Sequence, residues 1–322
     1  MTGKASPLGS FFYRHFNLVL SGGILLVLII ITSSINPHFL TAANLLGLLE
    51  QNAARGVLAI GITFVLITGG IDLSIGHMMA TVAVVSTVIH FNTGHTLVVL
   101  IVCCILFGIL SGCVNGFLIT KLKLLPFVAT LIMMSIAQGI TLFSVEGIDR
   151  FIRNPAVLIL GSGNIGGVFP VAALVFLSIA FAAGIILHRT RFGVSVYALG
   201  GNEAAARYTG INIDRQKFKV YMLNGVFVGF AALLVLGRTG QISAGMHEGF
   251  LMDAIAASVI GGTSLLGGKG TILGTVIGVL IIGVLTSGLT FIAVPIQAQS
   301  VVKGLVIIVA IILNSLTGRL KN

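Results

Sequence analysis

The segment Gly262–Thr271 is the part of the chain that looks most like a nucleotide-binding loop, because it combines glycines with a lysine. The pattern G-x-x-x-x-G-K-[ST] would need glycine at position 263 and serine or threonine at position 270. The chain has Thr263 and Gly270 instead, and no soluble strand precedes the segment to hold such a loop. We therefore predict that this chain does not hydrolyse ATP by itself.

Histidine and cysteine, which often catalyse reactions or bind metals, show no suitable spacing. The seven histidines are dispersed, without the spacing of metal ligands or of a nucleophile triad. Cys103, Cys104 and Cys113 lie in one apolar run and are interpreted as small hydrophobic residues. The sequence therefore predicts no catalytic, metal or cofactor site in this chain, which argues against an enzyme such as an intramembrane protease or a lipid transferase.

Asp72 is the most informative acidic residue, since it lies in Gly69-Gly-Ile-Asp-Leu-Ser-Ile-Gly76 between two apolar runs. An ionised carboxylate deep in a bilayer costs roughly 2.5 to 3.5 kcal/mol on insertion scales, so it needs a partner or an aqueous turn. Asp72 is interpreted either as a gate or pathway residue at a broken helix or as part of a capped turn at the inner surface. Ser74, in the same motif, is a further pathway or gate candidate.

Three uncharged polar residues, Asn115, Gln138 and Asn224, lie inside apolar runs. They could face a hydrophilic pathway, or they could bind neighbouring helices through hydrogen bonds, and the sequence leaves both roles open. Charges are few within these runs, which argues against a charged substrate or an ion-coupled relay. The sequence therefore favours a neutral solute.

The elements that must position these residues are membrane-spanning helices. Of the 322 residues, 57% are hydrophobic and only 8% are charged, whereas soluble domains are about a quarter charged. Apolar runs recur that are long enough, at about 1.5 Å per residue, to cross a hydrocarbon core of about 30 Å. The sequence predicts an all-α polytopic membrane protein with ten spans, near residues 17–35, 53–70, 75–91, 96–120, 126–146, 169–188, 219–238, 250–267, 270–291 and 297–315.

The distribution of Lys and Arg predicts the orientation of these spans. With the N-terminus inside, most of the 18 basic residues fall on the cytoplasmic side, as the positive-inside rule requires. Residues 1–16 and 316–322 are then cytoplasmic, and 17–315 form one transmembrane domain. The ends of the second and eighth spans carry Arg55 and Asp253; if both were re-entrant or lay flat, the count would be eight.

The net charge of +10 does not indicate nucleic-acid binding, because no stretch combines clustered basic residues with aromatics. The cytoplasmic position of most basic residues explains the charge instead.

Two connections stand out from the spans. The outer one, about 147–168, contains Gly, Asn, Pro and scattered charge, and is predicted to be a solvated periplasmic loop. The inner one, about 189–218, is the longest cytoplasmic segment. Its centre, 203–208, is rich in alanine, with Asn202 placed as an N-cap and Gly210 as a helix stop. A short helix outside the membrane is expected there.

Glycine spacing predicts close helix packing and a weak internal repeat. Three sets of glycines have the small-xxx-small spacing, for which packing within the chain is favoured over a dimer face; they are Gly108/Gly112/Gly116, Gly225/Gly229 and Gly274/Gly278. Residues 67–76 and 259–268 also match at four of ten positions, three of them glycines. Composition or duplication would explain the match, and transporter folds are often built from repeats.

Four motifs give the chain a resemblance to a known family. They are Gly69-Gly-Ile-Asp-Leu-Ser-Ile-Gly76, Tyr197-Ala-Leu-Gly-Gly-Asn-Glu-Ala-Ala-Ala-Arg207, Gly210-Ile-Asn212 and Asp253-Ala-Ile-Ala-Ala-Ser-Val-Ile-Gly-Gly-Thr-Ser-Leu-Leu-Gly-Gly-Lys-Gly270. With these motifs the chain resembles the permease subunits of bacterial monosaccharide ABC importers, the ribose-type group. The likeness runs from about residue 37 to 314.

The resemblance implies a location, partners and a substrate class. Two permeases, identical or different, would pair among the lipids of the bacterial inner membrane and receive a neutral monosaccharide from a periplasmic sugar-binding protein. A separate cytoplasmic ABC ATPase, which binds the ATP and Mg, would drive them. The group also handles hexoses, pentoses, polyols and a furanose-like signalling molecule, so the sugar stays open. The runner-up, a secondary transporter of neutral solutes, would have no need of a docking helix in its inner connection.

The resemblance also implies site residues. The short inner helix becomes a coupling helix, which docks in a groove of the ATPase and links its closure to opening of the pathway. The residues of this coupling loop are Gly200, Gly201, Asn202, Glu203, Ala204, Ala205, Arg207, Gly210 and Ile211. The outer faces, including the region near Glu248 and Asp253, would meet the binding protein.

Overall fold

The computed structural model describes residues 16–92, 96–145, 150–152, 154–243 and 245–319. Their helices are α1 (Phe16–Ile35), α2 (Ala42–Ile67), α3 (Ile75–Asn92), α4 (Leu97–Thr120), α5 (Pro126–Val145), α6 (Pro155–Ser162), α7 (Val171–Arg189), α8 (Arg191–Gly201), α9 (Glu203–Tyr208), α10 (Ile213–Thr239), α11 (Phe250–Ile260), α12 (Ile272–Phe291) and α13 (Ile296–Arg319). Four two-residue strands are β1 (Arg150–Phe151), β2 (Asn164–Ile165), β3 (Phe169–Pro170) and β4 (Gln241–Ile242). The predicted all-α class is confirmed. Most of the predicted N-terminal segment and the last three residues of the tail lie outside the described residues.

Six of the described helices are long and apolar enough to cross a membrane, namely α1, α4, α5, α7, α10 and α12. The two largest differences between predicted and observed boundaries are at the second and eighth spans. The second predicted span begins earlier, as α2, because Thr41 caps the helix by accepting a hydrogen bond from the Asn44 N–H at 3.4 Å. The eighth ends at Ile260, as α11, because a turn at Gly261 and Gly262 stops it. The count of ten spans stays a prediction.

Helix α2 forms the centre of the bundle. From Asn52 to Ile67 every residue except Arg55 is buried. The helix packs against α7, α10, α11 and α12. We call the side where α2 ends and α9 lies the inner side, and the opposite side the outer side, in line with the predicted topology. This central helix therefore positions both Arg55, near the start of the buried stretch, and the turn that follows Ile67.

Helices α4 and α10 pack backbone against backbone through their glycines. Gly108 and Gly112 of α4 face Gly225 and Gly229 of α10. A Cβ on Gly108 would overlap the Gly225 carbonyl oxygen, and one on Gly112 would overlap that of Tyr221. The small-xxx-small spacing therefore serves packing within the chain, as predicted.

Helices α11 and α12 use the third glycine pair in the same way. Gly274 lies against the backbone of Gly261, and Gly278 lies against the backbone of Ala257.

The two segments of the predicted repeat each contain the end of one helix and the turn that follows it. Their origin by duplication stays a prediction.

The outer connection is more ordered than the predicted solvated loop. It contains α6, in which the Asn154 side chain caps the helix by accepting from the Ala156 N–H at 3.0 Å. Val157 and Gly161 are buried, and α6 packs on α10, because an apolar run follows Pro155. Strand β1 also pairs with β4, which follows α10. The connection therefore covers the outer end of α10.

Candidate functional site

The polar residues of the Asp72 motif lie in the turn between α2 and α3. After α2 ends, Gly69 adopts a left-handed conformation with φ of 73°, which residues with a side chain rarely take. The chain reverses there and brings Asp72 and Ser74 against α4 and α10. The Tyr221 hydroxyl of α10 donates to the Ile71 carbonyl oxygen at 3.0 Å and holds the turn in place.

The Asp72 carboxylate, in a residue only 2% exposed, accepts hydrogen bonds from three residues. Ser74 donates to Oδ1 through its backbone N–H at 2.9 Å and its hydroxyl at 2.6 Å. Asn224 Nδ2 donates to Oδ2 at 2.9 Å. Asn115 Nδ2 lies 3.4 Å from Oδ2 and donates to the Ser74 hydroxyl oxygen at 2.9 Å. We call Asp72, Ser74, Asn115 and Asn224 the Asp72 cluster.

The Asp72 cluster contains four of the five predicted pathway residues and is closed in this conformation. The fifth, Gln138, is exposed on α5, and its pathway role stays a prediction. Among the described residues no Lys or Arg forms an ion pair with Asp72. The side-chain carbonyl oxygens of Asn115 and Asn224 are buried without a hydrogen-bond partner in that part of the chain. The cluster therefore holds two acceptors that a hydroxyl group could use if the turn that carries Asp72 moved away from α4 and α10.

A second polar cluster lies at the middle of α2, and we call Arg55, Asp253 and Lys303 the outer ion cluster. Asp253 Oδ2 lies 2.8 Å from Arg55 Nε, and Oδ1 lies 3.0 Å from Lys303 Nζ. The Arg55 contact is an ion pair by distance, since its Nε–H is not aligned for a hydrogen bond. The Arg55 guanidinium also lies 5.0 Å from the centre of the Phe250 ring, within cation–π range. The two charges that interrupt predicted spans thus neutralise each other.

The outer ion cluster changes the interpretation of Asp253. This residue is 4% exposed, and both carboxylate oxygens contact cations of the same chain, so its side chain is not presented to a binding protein. Glu248 is exposed on the segment before α11, and its contact with a binding protein stays a prediction.

A cavity of about 430 Å³ adjoins the outer ion cluster, a volume in the range of small-molecule pockets. Its polar lining includes Glu50, Gln51, Arg55, Arg238 and Gln241.

The predicted coupling segment lies at the surface of the inner side. Asn202 caps α9 by accepting from the Ala205 N–H at 2.9 Å, and Gly210 follows the helix with φ of 85°, which confirms the predicted helix and both its ends. Glu203 forms an ion pair of 2.7 Å with Lys217 of α10. The exposed coupling residues are Gly201, Asn202, Glu203, Ala204, Ala205, Arg207 and Gly210, whereas Gly200 and Ile211 are half-buried. Their docking to an ATPase stays a prediction.

The end of α8 contacts two glycine-containing turns, which we call the glycine turns: the turn between α2 and α3 and the turn between α11 and α12. Gly200 lies so close to the Ile67 carbonyl oxygen, at the end of α2, that a Cβ would overlap it. The same oxygen accepts a hydrogen bond from the Gly268 N–H at 2.8 Å. The Tyr197 hydroxyl donates to the Gly270 carbonyl oxygen at 2.6 Å, and burial raises the pKa of Tyr197 to about 12, so the donor keeps its proton at neutral pH. We call these five residues the α8 junction.

Comparison with known proteins assigns the chain to a family. Residues 44–311 match the family described as branched-chain amino acid transport system / permease component. The chain belongs to this family. It is 42% identical over 293 residues to the ribose import permease protein RbsC of Bacillus subtilis, with 90% of each chain covered.

Two further relatives cover at least as much of the chain. RbsC of Escherichia coli K12 is 38% identical over 296 residues, which are 90% of this chain and 91% of the relative. The galactose/methyl galactoside import permease protein MglC of the same strain is 34% identical over 319 residues, which are 92% of this chain and 94% of the relative. No solved structure matches the chain.

The family match extends from α2 into α13 and includes both polar clusters and the α8 junction. The chain is therefore a multi-pass inner-membrane permease subunit of an ABC transporter. Sequence reasoning missed two features of this permease. The first is the ion pair of Lys303 with Asp253. Lys303 is an isolated charge in the last predicted span and so indicated that an ion pair was needed, but the sequence did not identify its partner. Tyr197 lies in a motif of the family resemblance, but nothing in the sequence pointed to its bond with Gly270.

Proposed function

We propose that this permease forms the translocation pathway for a neutral monosaccharide, such as a ribose-like pentose or a hexose, in an ATP-driven importer. The observation that carries the proposal is the identity of 42% and 38% to ribose import permeases across nine-tenths of the chain. The galactoside permease at 34% identity keeps hexoses within the proposed substrate class.

The Asp72 cluster favours a sugar over the amino acids in the family description. An amino acid brings a carboxylate, for which a buried site needs an uncompensated cation. The Asp72 cluster contains a carboxylate, a hydroxyl and two amides, and among the described residues no Lys or Arg forms an ion pair with Asp72. Such groups suit the hydroxyls of a neutral sugar, which donate and accept hydrogen bonds.

The transporter requires further subunits in this proposal. A separate cytoplasmic ATPase binds ATP and Mg and docks on α9, a periplasmic sugar-binding protein delivers the substrate near Glu248, and a second permease, identical or different, completes the pathway. The Gly262–Thr271 turn supports the absence of an ATPase site in this chain, because the Gly268 N–H that a phosphate would use is engaged by Ile67.

Copurification and transport together test the proposal. The tagged protein, solubilised from its native membrane in mild detergent, is expected to bring an ABC ATPase with it. Proteoliposomes containing the complex and the binding protein should import radiolabelled ribose or galactose only with ATP. A protein that purifies alone and moves sugar without ATP would instead be a secondary transporter.

A further inference from the structure

The two glycine turns of this permease are held by one element, the end of α8. Gly200 packs on the Ile67 carbonyl oxygen, and Gly268 donates its N–H to that same oxygen at 2.8 Å. A helix-terminal carbonyl has no partner within its own helix, so this bond from another turn satisfies it. Because a side chain at position 200 would overlap this oxygen, the backbones of Gly200, Ile67 and Gly268 are in direct contact.

Tyr197 adds a directional bond to the junction. Its hydroxyl, one turn of α8 before Gly200, donates to the Gly270 carbonyl oxygen at 2.6 Å. The turn that joins α11 to α12 is therefore fixed to α8 at Gly268 by packing and at Gly270 by a hydrogen bond. A displacement of α8 must carry this turn with it or break these contacts.

The junction lies between the coupling helix and the Asp72 cluster. On one side, Leu199 of α8 and Ala206 of α9 share a small buried core with Ile213. On the other side, Ile67 lies only five residues before Asp72, and Gly69 is the left-handed residue of the turn between them. Packing contacts therefore run from the surface helix to the end of α2, and the short turn that follows leads along the chain to the buried carboxylate.

We propose that the end of α8, through Tyr197 and Gly200, is the positioning element that transmits movement of α9 to the α2–α3 turn and thereby to the Asp72 cluster. The inference rests on the proposed function, because it assumes that α9 receives movement from an ATPase. Tyr197 and Gly200 act through the two glycine turns, with no contact to the transported sugar. The α11–α12 turn moves with the α2–α3 turn as one unit.

The test uses the complete transporter in proteoliposomes, with Tyr197→Phe as the main variant. This change keeps the ring and removes the hydroxyl that donates to Gly270. Losing one partner of a buried hydrogen bond shifts a conformational equilibrium by about five- to tenfold. We expect Tyr197→Phe to keep its copurifying ATPase while the sugar imported per ATP hydrolysed falls by about fivefold. Ser195→Ala is the matched control, because Ser195 lies on the same helix and its hydroxyl, among the described residues, bonds to the Arg191 carbonyl oxygen within α8 and not to either turn.

A second readout follows the turns without transport. Hydrogen exchange of the same complex should be faster in Tyr197→Phe at residues 67–71 and 261–271, and unchanged in Ser195→Ala. Wild-type exchange and a wild-type transport ratio in Tyr197→Phe would overturn the inference while leaving the proposed function intact. A wild-type complex that imports no sugar with ATP would overturn both.

Discussion

Replacing Asp72 by alanine or by asparagine separates its structural role from its role in transport. The carboxylate accepts bonds from the Ser74 N–H and hydroxyl and from the Asn224 amide, all at or below 2.9 Å. Alanine removes every acceptor at once. The Ser74 hydroxyl can rotate its proton toward another acceptor, so the donors left without a partner are chiefly the Ser74 N–H and the Asn224 amide.

The magnitude follows from those two donors. A buried donor that loses its partner costs about 1 to 3 kcal/mol, so Asp72→Ala should destabilise the protein by about 2 to 5 kcal/mol, reduced somewhat because a buried charge is also removed. Asp72→Asn keeps one oxygen for Ser74 and presents an amide to Asn224. Rotating the Asn224 amide brings its unpartnered oxygen to that new donor, so the stability change should stay within about 1 kcal/mol.

Transport should respond differently from stability. A sugar hydroxyl that bonds to the Asp72 carboxylate during transport would lose a charge-assisted bond in Asp72→Asn, and such bonds are worth about 1.5 to 3 kcal/mol, so we expect uptake to fall about tenfold or more. Thermal unfolding of the purified protein in detergent measures the first effect, and ATP-dependent sugar uptake in proteoliposomes measures the second. If Asp72→Ala were as stable as the wild type, the hydrogen-bond reasoning would be refuted. If Asp72→Asn transported normally, Asp72 would be only a capped turn.

Three further predictions concern the other contacts. Glu203→Arg combined with Ala205→Asp should abolish ATP-driven uptake and copurification of the ATPase, because both residues are exposed on α9. Loss of the surface ion pair between Glu203 and Lys217 should cost at most about 1 kcal/mol of stability, and normal uptake would contradict the coupling role. Asp253→Asn should destabilise the protein by about 1.5 to 3 kcal/mol, since it leaves two partly buried cations without a carboxylate, and an unchanged melting temperature would argue against the outer ion cluster. Gly112→Ala should cost about 1 to 3 kcal/mol in a melting assay through overlap with a facing backbone, whereas Gly184→Ala, with no neighbour within 4 Å of its Cβ position, should cost nothing.

Features fixed by neighbouring residues could be predicted from the sequence. Helix α9 was predicted with its N-cap at Asn202 and its stop at Gly210, because capping depends on side chains a few residues away. The glycine spacing of α4 likewise indicated close packing. The start of α2 was missed, since hydropathy alone excluded Asn52, whose amide in fact bonds to the Leu48 carbonyl oxygen of its own helix at 2.8 Å.

Features that depend on distant parts of the chain could not be predicted. Asp72 was recognised as a charge in need of a partner, but Asn115 and Asn224 lie on two other helices and were noted only as isolated polar groups. The region near Asp253 was expected to face the binding protein only because the family resemblance implied it. The burial of Asp253 depends on Arg55 and on a lysine of the last helix, which only the packed bundle brings together.

The glycine contacts between α4 and α10 also restrict how the Asp72 cluster can open. Two helices that touch through their main chains have no flexible side chains between them to absorb sliding, so we expect the pair to move as a single rigid body. Asn115 and Asn224 lie on this pair, so the distance between their amides should stay nearly constant during transport. If the Asp72 cluster lies in the pathway, as predicted, the pathway would widen or narrow through movement of the short turn that carries Asp72 and Ser74, while the two amides keep their positions.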